Sequence, residues 1–240
     1  MSRVALVSGG TRGLGEAISL ALQAAGCKVA AIYHSDEAAA HDFSARSGIP
    51  VFRCDVADFI ACGEGVRRVE HELGPVEVLV NNAGVTADSM LHKMTPQQWS
   101  RVMETNLGSM FNMTRQVIEG MRERGYGRII NISSINGEKG QLGQCNYSAA
   151  KAGILGFTKA LAQEVARKGI TVNAIAPGYC DTAMVAKVAP EVLQSIIAGI
   201  PVGRLGTPED IGRMVAFLAD EQASFITGAT FDLNGGQYMA

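Results

Sequence analysis

No block of like charges stands anywhere in this chain, and none of its apolar runs approaches the roughly 20 residues needed to span a bilayer. A net charge of −2 and a sequence pI near 6.1 leave neither a basic footprint for nucleic acid nor a cationic face for a membrane surface. The start, Met-Ser-Arg, passes straight into a short apolar run without a leader-like hydrophobic core, so a soluble, cytoplasmic protein is expected. The five cysteines (Cys27, Cys54, Cys62, Cys145, Cys180) are odd in number and lack Cys-x-x-Cys spacing. Neither a disulfide framework nor a metal site is signalled. Repeats, linkers and low-complexity segments are missing as well. At 240 residues, 47% of them hydrophobic, the chain is expected to form a single domain over 1–240 with a small-molecule partner.

What is present is an alternation. Short apolar runs at Val4 to Val7, Lys28 to Tyr33, Val51 to Arg53, Val76 to Val80, Arg128 to Ser133, Thr171 to Ala176 and Thr230 to Leu233 have the length and composition of buried strands. Between them lie helical patterns. Leu14, Ala17, Ile18, Ala21, Leu22 and Ala25 trace one apolar stripe, and Phe59, Cys62, Val66, Val69 and Leu73 another. Thr95, Pro96 and Gln98 compose a capping box with proline at the first helical position, and Thr207-Pro208-Glu209-Asp210 opens a later helix in the same manner. Strand and helix alternating throughout predict an α/β fold, a Rossmann-type doubly wound parallel sheet of about seven strands with right-handed crossovers. Ligands of such sheets lie at the carboxyl ends of the strands. The loops to watch are therefore Gly9 to Gly15, Cys54-Asp55-Val56, Asn81-Asn82-Ala83-Gly84, Ser133-Ser134 and Pro177-Gly178, together with an irregular stretch over about 179–206 where a lid would hang.

Ser8-Gly9-Gly10-Thr11-Arg12-Gly13-Leu14-Gly15 joins a strand to a helix. Its glycines let backbone approach a pyrophosphate, whose charge is drawn to the amides and dipole of the helix start. The spacing, G-x-x-x-G-x-G, departs from the commoner G-x-G-x-x-G, and a plain tight turn accounts for the loop equally well when it is taken alone.

The chemical centre is the stretch from Ser134 to Lys151. Tyr147 and Lys151 are four apart at the start of an Ala-rich helical run, so they share a face with Cβ atoms about 5 to 6 Å apart. A cation about 4 Å from a phenol favours phenolate by roughly 4 kcal/mol, or about three pKa units, at an effective dielectric near 20. That would bring Tyr147 toward cellular pH as a proton donor for a carbonyl accepting hydride, with Ser134 on the preceding loop holding the carbonyl oxygen.

Taken in order over the whole chain, these motifs resemble the short-chain dehydrogenase/reductase family. The resemblance implies a catalytic tetrad of Asn106, Ser134, Tyr147 and Lys151. In it Tyr is the acid/base, Lys tunes it and holds the nicotinamide ribose, Ser binds the carbonyl, and Asn supports a water in a proton relay. It also implies cofactor contacts from Gly9, Gly10, Thr11, Arg12, Gly13, Leu14, Gly15, Asp55, Val56, Asn82, Ala83, Gly84, Tyr147, Lys151, Pro177, Gly178 and Thr182. Without the family, Asn106 reads as a polar helix residue, capping or facing solvent, and Asn81 to Gly84 as a turn.

Charge bears on the cofactor. The second strand ends Ile32-Tyr33-His34-Ser35 without the carboxylate that holds the ribose hydroxyls of NAD, while Arg12 suits a 2′-phosphate, so NADPH is expected. Asp36 is the competing signal for NAD unless it caps the next helix, and Arg12 is otherwise a solvated loop charge.

For the substrate, Asp88, Gln141-Leu142-Gly143-Gln144 and Tyr179 resemble the branch of the family that reduces acetoacetyl-CoA for polyhydroxybutyrate synthesis. The tail from Ile200 to Met239 equally resembles the branch acting on 3-oxoacyl-ACP. Asp88, Ser134, Gln141, Leu142, Gly143, Gln144, Tyr147 and Tyr179 are the implied substrate contacts. The ACP branch commonly carries a basic residue where this chain has Gly125, which tilts the expectation toward CoA. The family also implies a homotetramer, and the apolar finish Gln-Tyr-Met-Ala agrees with a buried C-terminus. A cofactor-sensing protein without catalysis is the remaining alternative, opposed by the complete tetrad.

Overall fold

In the computed structural model, which describes residues 2–182 and 189–239, the seven apolar runs are seven strands. They are β1 (Val4–Ser8), β2 (Lys28–Tyr33), β3 (Val51–Arg53), β4 (Val76–Asn81), β5 (Gly127–Ile132), β6 (Ile170–Pro177) and β7 (Thr230–Leu233). All pair in parallel in the order β3-β2-β1-β4-β5-β6-β7. The order reverses at β1, so a crevice opens between the ends of β1 and β4, the place where such sheets take their ligands.

Eight α-helices accompany the sheet among the described residues: α1 (Gly13–Ala24), α2 (Glu37–Ser47), α3 (Phe59–Leu73), α4 (Pro96–Val102), α5 (Ser109–Arg124), α6 (Cys145–Val165), α7 (Pro190–Ala198) and α8 (Pro208–Ala219). Successive side chains of a strand point to opposite faces, and the two core layers divide accordingly. Val4 and Leu6 of β1 pack with Val66 and Val69 of α3 and Met113 and Val117 of α5. Ala5 and Val7 pack with Ile18 and Leu22 of α1 and Val215 and Leu218 of α8. A strand covered on both sides has no polar face, which is why β1 is a continuous apolar run. Both predicted capping boxes form, Thr95 with Gln98 ahead of α4 and Thr207 with Asp210 ahead of α8.

Two features differ from the sequence reading. Between α4 and α5 the rod widens into a π-helical turn over Met103–Gly108, the kind of irregularity that recurs at functional sites and leaves no periodic trace in sequence. The stretch at 179–206 is not wholly irregular. It contains α7, and Cys180 pairs with Gly206 in a parallel bridge, Gly206 donating its N–H to the Tyr179 carbonyl at 2.9 Å. Residues 183–188 of the expected lid lie outside the described residues.

Candidate active site

The glycine loop is shaped by the residues that follow β4. Asn82 donates its side-chain amide to the carbonyls of Ser8 at 2.9 Å and Gly9 at 3.1 Å, while the Ser8 hydroxyl accepts the N–H groups of Asn82 at 2.9 Å and Ala83 at 3.0 Å. Gly10 sits where a Cβ would come 2.9 Å from the Ala31 methyl, the Ser19 hydroxyl and the Val7 carbonyl oxygen, so no side chain fits there. Gly9 and Gly13 hold φ of 61° and 55°, and the first amides of α1 have no acceptor within the helix. A loop of this shape can receive a pyrophosphate on its backbone.

The turn after β3, with Asp55 and Val56, is fixed from two helices. Asn112 of α5 donates to the carbonyls of Val56 at 3.0 Å and Ala57 at 3.1 Å, and the Cys62 thiol of α3 lies 3.5 Å from the Val56 carbonyl oxygen. Asp55 accepts from Ala57 N–H at 3.0 Å and lies 3.6 Å from His34. Asp36 caps α2, accepting from Ala39 N–H at 3.2 Å, and its other oxygen lies 3.6 Å from Arg12. Its carboxylate is thus committed to the helix and to a guanidinium, and Arg12 itself is 76% exposed at the mouth of the loop.

The four catalytic candidates come together at the ends of β4 and β5. Asn106 lies in the π-helical turn, fully buried, its Oδ1 accepting from Val85 N–H at 2.8 Å and its Nδ2 donating to the Val85 carbonyl at 3.0 Å. It neither caps a helix nor faces solvent. An added Cβ on Gly84 would lie 3.3 Å from Asn106 Oδ1 and 3.7 Å from Lys151 Nζ, which places the Asn82-Ala83-Gly84 segment against both groups. The Ser134 hydroxyl lies near enough to the Tyr147 phenol to lower its pKa. The Ser134 hydroxyl also accepts the Asn136 N–H at 3.1 Å, so its own proton is free to point into the cleft. Two reciprocal bonds lock α6 to β5: the Ser133 hydroxyl donates to the Lys151 carbonyl, and Lys151 Nζ donates to the Ile132 carbonyl, each at 2.8 Å. Asn146, buried immediately before Tyr147, takes the Tyr147 N–H on its Oδ1 and donates to the carbonyls of Ala87 at 3.0 Å and Gln98 at 3.2 Å.

The electrostatics correct one expectation. The Tyr147 phenol is pushed up, first by burial of its hydroxyl and further by the Asp88 carboxylate, against a lowering from the Ser134 hydroxyl. Lys151 is itself lowered to about 8 by burial. Its Nζ lies 5.6 Å from the centre of the Tyr147 ring, bonded to a backbone carbonyl. A cation about 4 Å from the phenol would favour phenolate, but desolvation opposes charge on both groups and wins here. In the free chain the pair rests as neutral phenol and weakened ammonium.

The substrate candidates ring the mouth. Gln144 donates its Nε2 to Asp88 Oδ2 at 2.8 Å, and Ser89 N–H donates to the Gly143 carbonyl at 2.8 Å, so the strap after β4 closes on the loop before α6. Leu142 is 81% exposed and Gln141 turns toward Lys139 at 3.5 Å. Pro177 ends β6, Gly178 N–H donates to the Leu233 carbonyl at 2.9 Å, and Tyr179 and Thr182 follow at the edge of the cleft, both partly buried. Sequence reasoning missed Asn112, Asn136 and Asn146. Asn112 and Asn146 hold backbone of other segments and Asn136 donates to the Gln144 side chain, and nothing local in sequence signals that.

A family model described as enoyl-(acyl carrier protein) reductase matches residues 9–237. The chain is 62% identical over 240 residues to "Acetoacetyl-CoA reductase" of Shinella zoogloeoides, covering all of both chains. It is 62% identical over 241 residues to the protein of the same name from Rhizobium meliloti (strain 1021), again over the whole of both. To "3-oxoacyl-[acyl-carrier-protein] reductase FabG" of Vibrio cholerae serotype O1 it is 43% identical over 239 residues, covering 99% of this chain and 98% of that one.

Proposed function

Because this chain belongs to the short-chain dehydrogenase/reductase family, we propose that it reduces acetoacetyl-CoA, and 3-oxoacyl-CoA thioesters generally, to the (R)-3-hydroxyacyl-CoA at the expense of NADPH, as a supply for polyhydroxybutyrate synthesis. The observation that carries the chemistry is the convergence of the Ser134 hydroxyl on the buried Tyr147 phenol, one helical turn from Lys151. When bound, the reduced nicotinamide supplies hydride. The chain's own part is to receive the keto oxygen between the Ser134 and Tyr147 hydroxyls and to deliver the phenolic proton to it as charge develops. A neutral phenol is the form needed for that delivery, and the upward push on Tyr147 keeps it so until substrate binds. Lys151 would hold the ribose and steady the phenolate left behind; Asn106 would support the water through which the proton is replaced. The fixed positions of glycine loop and phenol decide which face of the carbonyl is reduced.

NADPH is favoured over NADH by the committed state of Asp36 and the exposure of Arg12. The CoA carrier is favoured over ACP by full-length likeness to acetoacetyl-CoA reductases and by the end of α5. There Gly125 offers no cation, and Arg124 donates to the Val76 carbonyl at 2.8 Å. An acidic carrier would lack a charged contact at position 125.

A homotetramer in the cytoplasm completes the reading. Exposed apolar side chains support contacts between copies: Phe111 at a groove of about 590 Å³ between α5 and α6, the fully exposed Phe225 ahead of β7, and Met239, 75% exposed, after it. No helix among the described residues is long and apolar enough to cross a membrane. The direct test is NADPH oxidation with acetoacetyl-CoA and acetoacetyl-ACP side by side, by wild type and by Tyr147→Phe.

A further inference from the structure

Asn136 is nine-tenths buried, 9% exposed, two residues beyond Ser134, and one atom of its side chain has no partner among the described residues. Which atom that is follows from the neighbours. A carboxylate only accepts, so Asp88 obliges Gln144 to present its Nε2, at 2.8 Å. Gln144 then turns Oε1 inward, and Asn136 must present Nδ2 to it, at 3.0 Å. Asn136 Oδ1 is left over, buried and unpaired. The orientation of this amide is thus set from the rim of the cleft, through Gln144, by the charge of Asp88. A buried acceptor without a donor carries a cost comparable to a lost hydrogen bond.

The rest of this inference stands on the 3-oxoacyl thioester reading above. The 3-oxoacyl group itself offers carbonyl oxygens and no donor. The nearest donor in the molecule is the cysteamine amide N–H of the pantetheine arm, six bonds from the keto carbon, roughly 7 Å along an extended chain. Residues two apart span at most about the same distance, so an extended arm whose keto oxygen is held at Ser134 is long enough to reach Asn136. We propose that Asn136 is a specificity residue whose Oδ1, aimed by the Asp88–Gln144 relay, accepts the cysteamine amide N–H of the bound thioester. That amide is common to CoA, to ACP and to the small mimic N-acetylcysteamine, so the contact would recognise the arm and leave carrier choice to other residues.

Two small substrates separate this contact from a purely structural role: the acetoacetyl thioester of N-acetylcysteamine, which carries the amide, and S-ethyl acetothioacetate, which does not. The readout is the ratio of their kcat/KM values, measured with NADPH on the purified full-length enzyme. Asn136→Ala is expected to lower that ratio by about 5- to 30-fold, the loss falling on the amide-bearing thioester. Asn136→Leu, which keeps the volume without polar atoms, is expected to do the same and serves if the Ala variant does not fold. An unchanged ratio, whether both substrates slow together or neither does, overturns the proposal and leaves Asn136 as a strut of the loop. If wild type reduces neither compound, the thioester reading itself fails and this inference with it.

Discussion

Replacing Lys151 with Met in the cofactor-free chain removes a cation that is 3% exposed and hydrogen-bonded at 2.8 Å to the Ile132 carbonyl. Its pKa is lowered from 10.5 to about 8 by burial, so the unfolded chain holds this proton more tightly than the folded one. The sign follows. Below about pH 8 the lysine is charged in both states, and folding bears the whole penalty of burying it. Between about 8 and 10.5 the folded form releases its proton while the unfolded form keeps it, and the penalty fades as pH rises. At about 1.36 kcal/mol per pKa unit the full penalty is about 3 kcal/mol, of which about 2 kcal/mol is relieved between pH 7 and pH 9.5. For a chain of this length that corresponds to a relative change in Tm of about 4 to 8 °C.

The assay is thermal unfolding of wild type and Lys151→Met at both pH values without cofactor. Titration elsewhere, as at Glu138, whose carboxyl is pushed up to about 7 by burial and the neighbouring Asp232, is common to both proteins and cancels in the difference. The lost hydrogen bond to Ile132 sets a constant offset. Wild type should gain on the variant as pH rises. A difference that stays flat, or that moves the other way, refutes the claim that Lys151 rests in the empty site as a weakened ammonium.

Replacing Arg12 with Ser should weaken NADPH more than NADH, by about 1 to 3 kcal/mol if a charged hydrogen bond to the 2′-phosphate is lost; equal weakening, read by fluorescence titration, would reduce Arg12 to a loop-shaping residue. Sedimentation should find a tetramer, and truncation after Leu233, which removes Met239 and the turn at Asn234, should lower assembly and activity together. A fully active monomer would dispose of the assembly claim.

The strands were legible because each is a short apolar run between turn residues, and both capping boxes were legible because Thr, Pro and Gln or Asp recur at fixed offsets. Asp36 was read as either a ribose ligand or a helix cap, and only the fold settles it as the cap, by placing Ala39 N–H against one oxygen. Four-residue spacing put Tyr147 and Lys151 on one face, but spacing says nothing of burial, and burial reverses the direction in which the phenol is pushed. The π-helical turn that buries Asn106 and the asparagine contacts of Asn112, Asn136 and Asn146 depend on segments distant in the chain. Local pattern carries no trace of such pairings.

The account turns on Tyr147 as the proton donor to a 3-oxoacyl-CoA, and one measurement meets it directly: NADPH oxidation by wild type and Tyr147→Phe, with NADPH binding followed separately by fluorescence. Wild type should show a higher kcat/KM for acetoacetyl-CoA than for acetoacetyl-ACP. Tyr147→Phe should bind NADPH nearly as well and turn over acetoacetyl-CoA at least about 100-fold more slowly, the scale of a lost general acid. Near-normal turnover by Tyr147→Phe would contradict the catalytic assignment, and a several-fold preference of wild type for acetoacetyl-ACP would contradict the substrate.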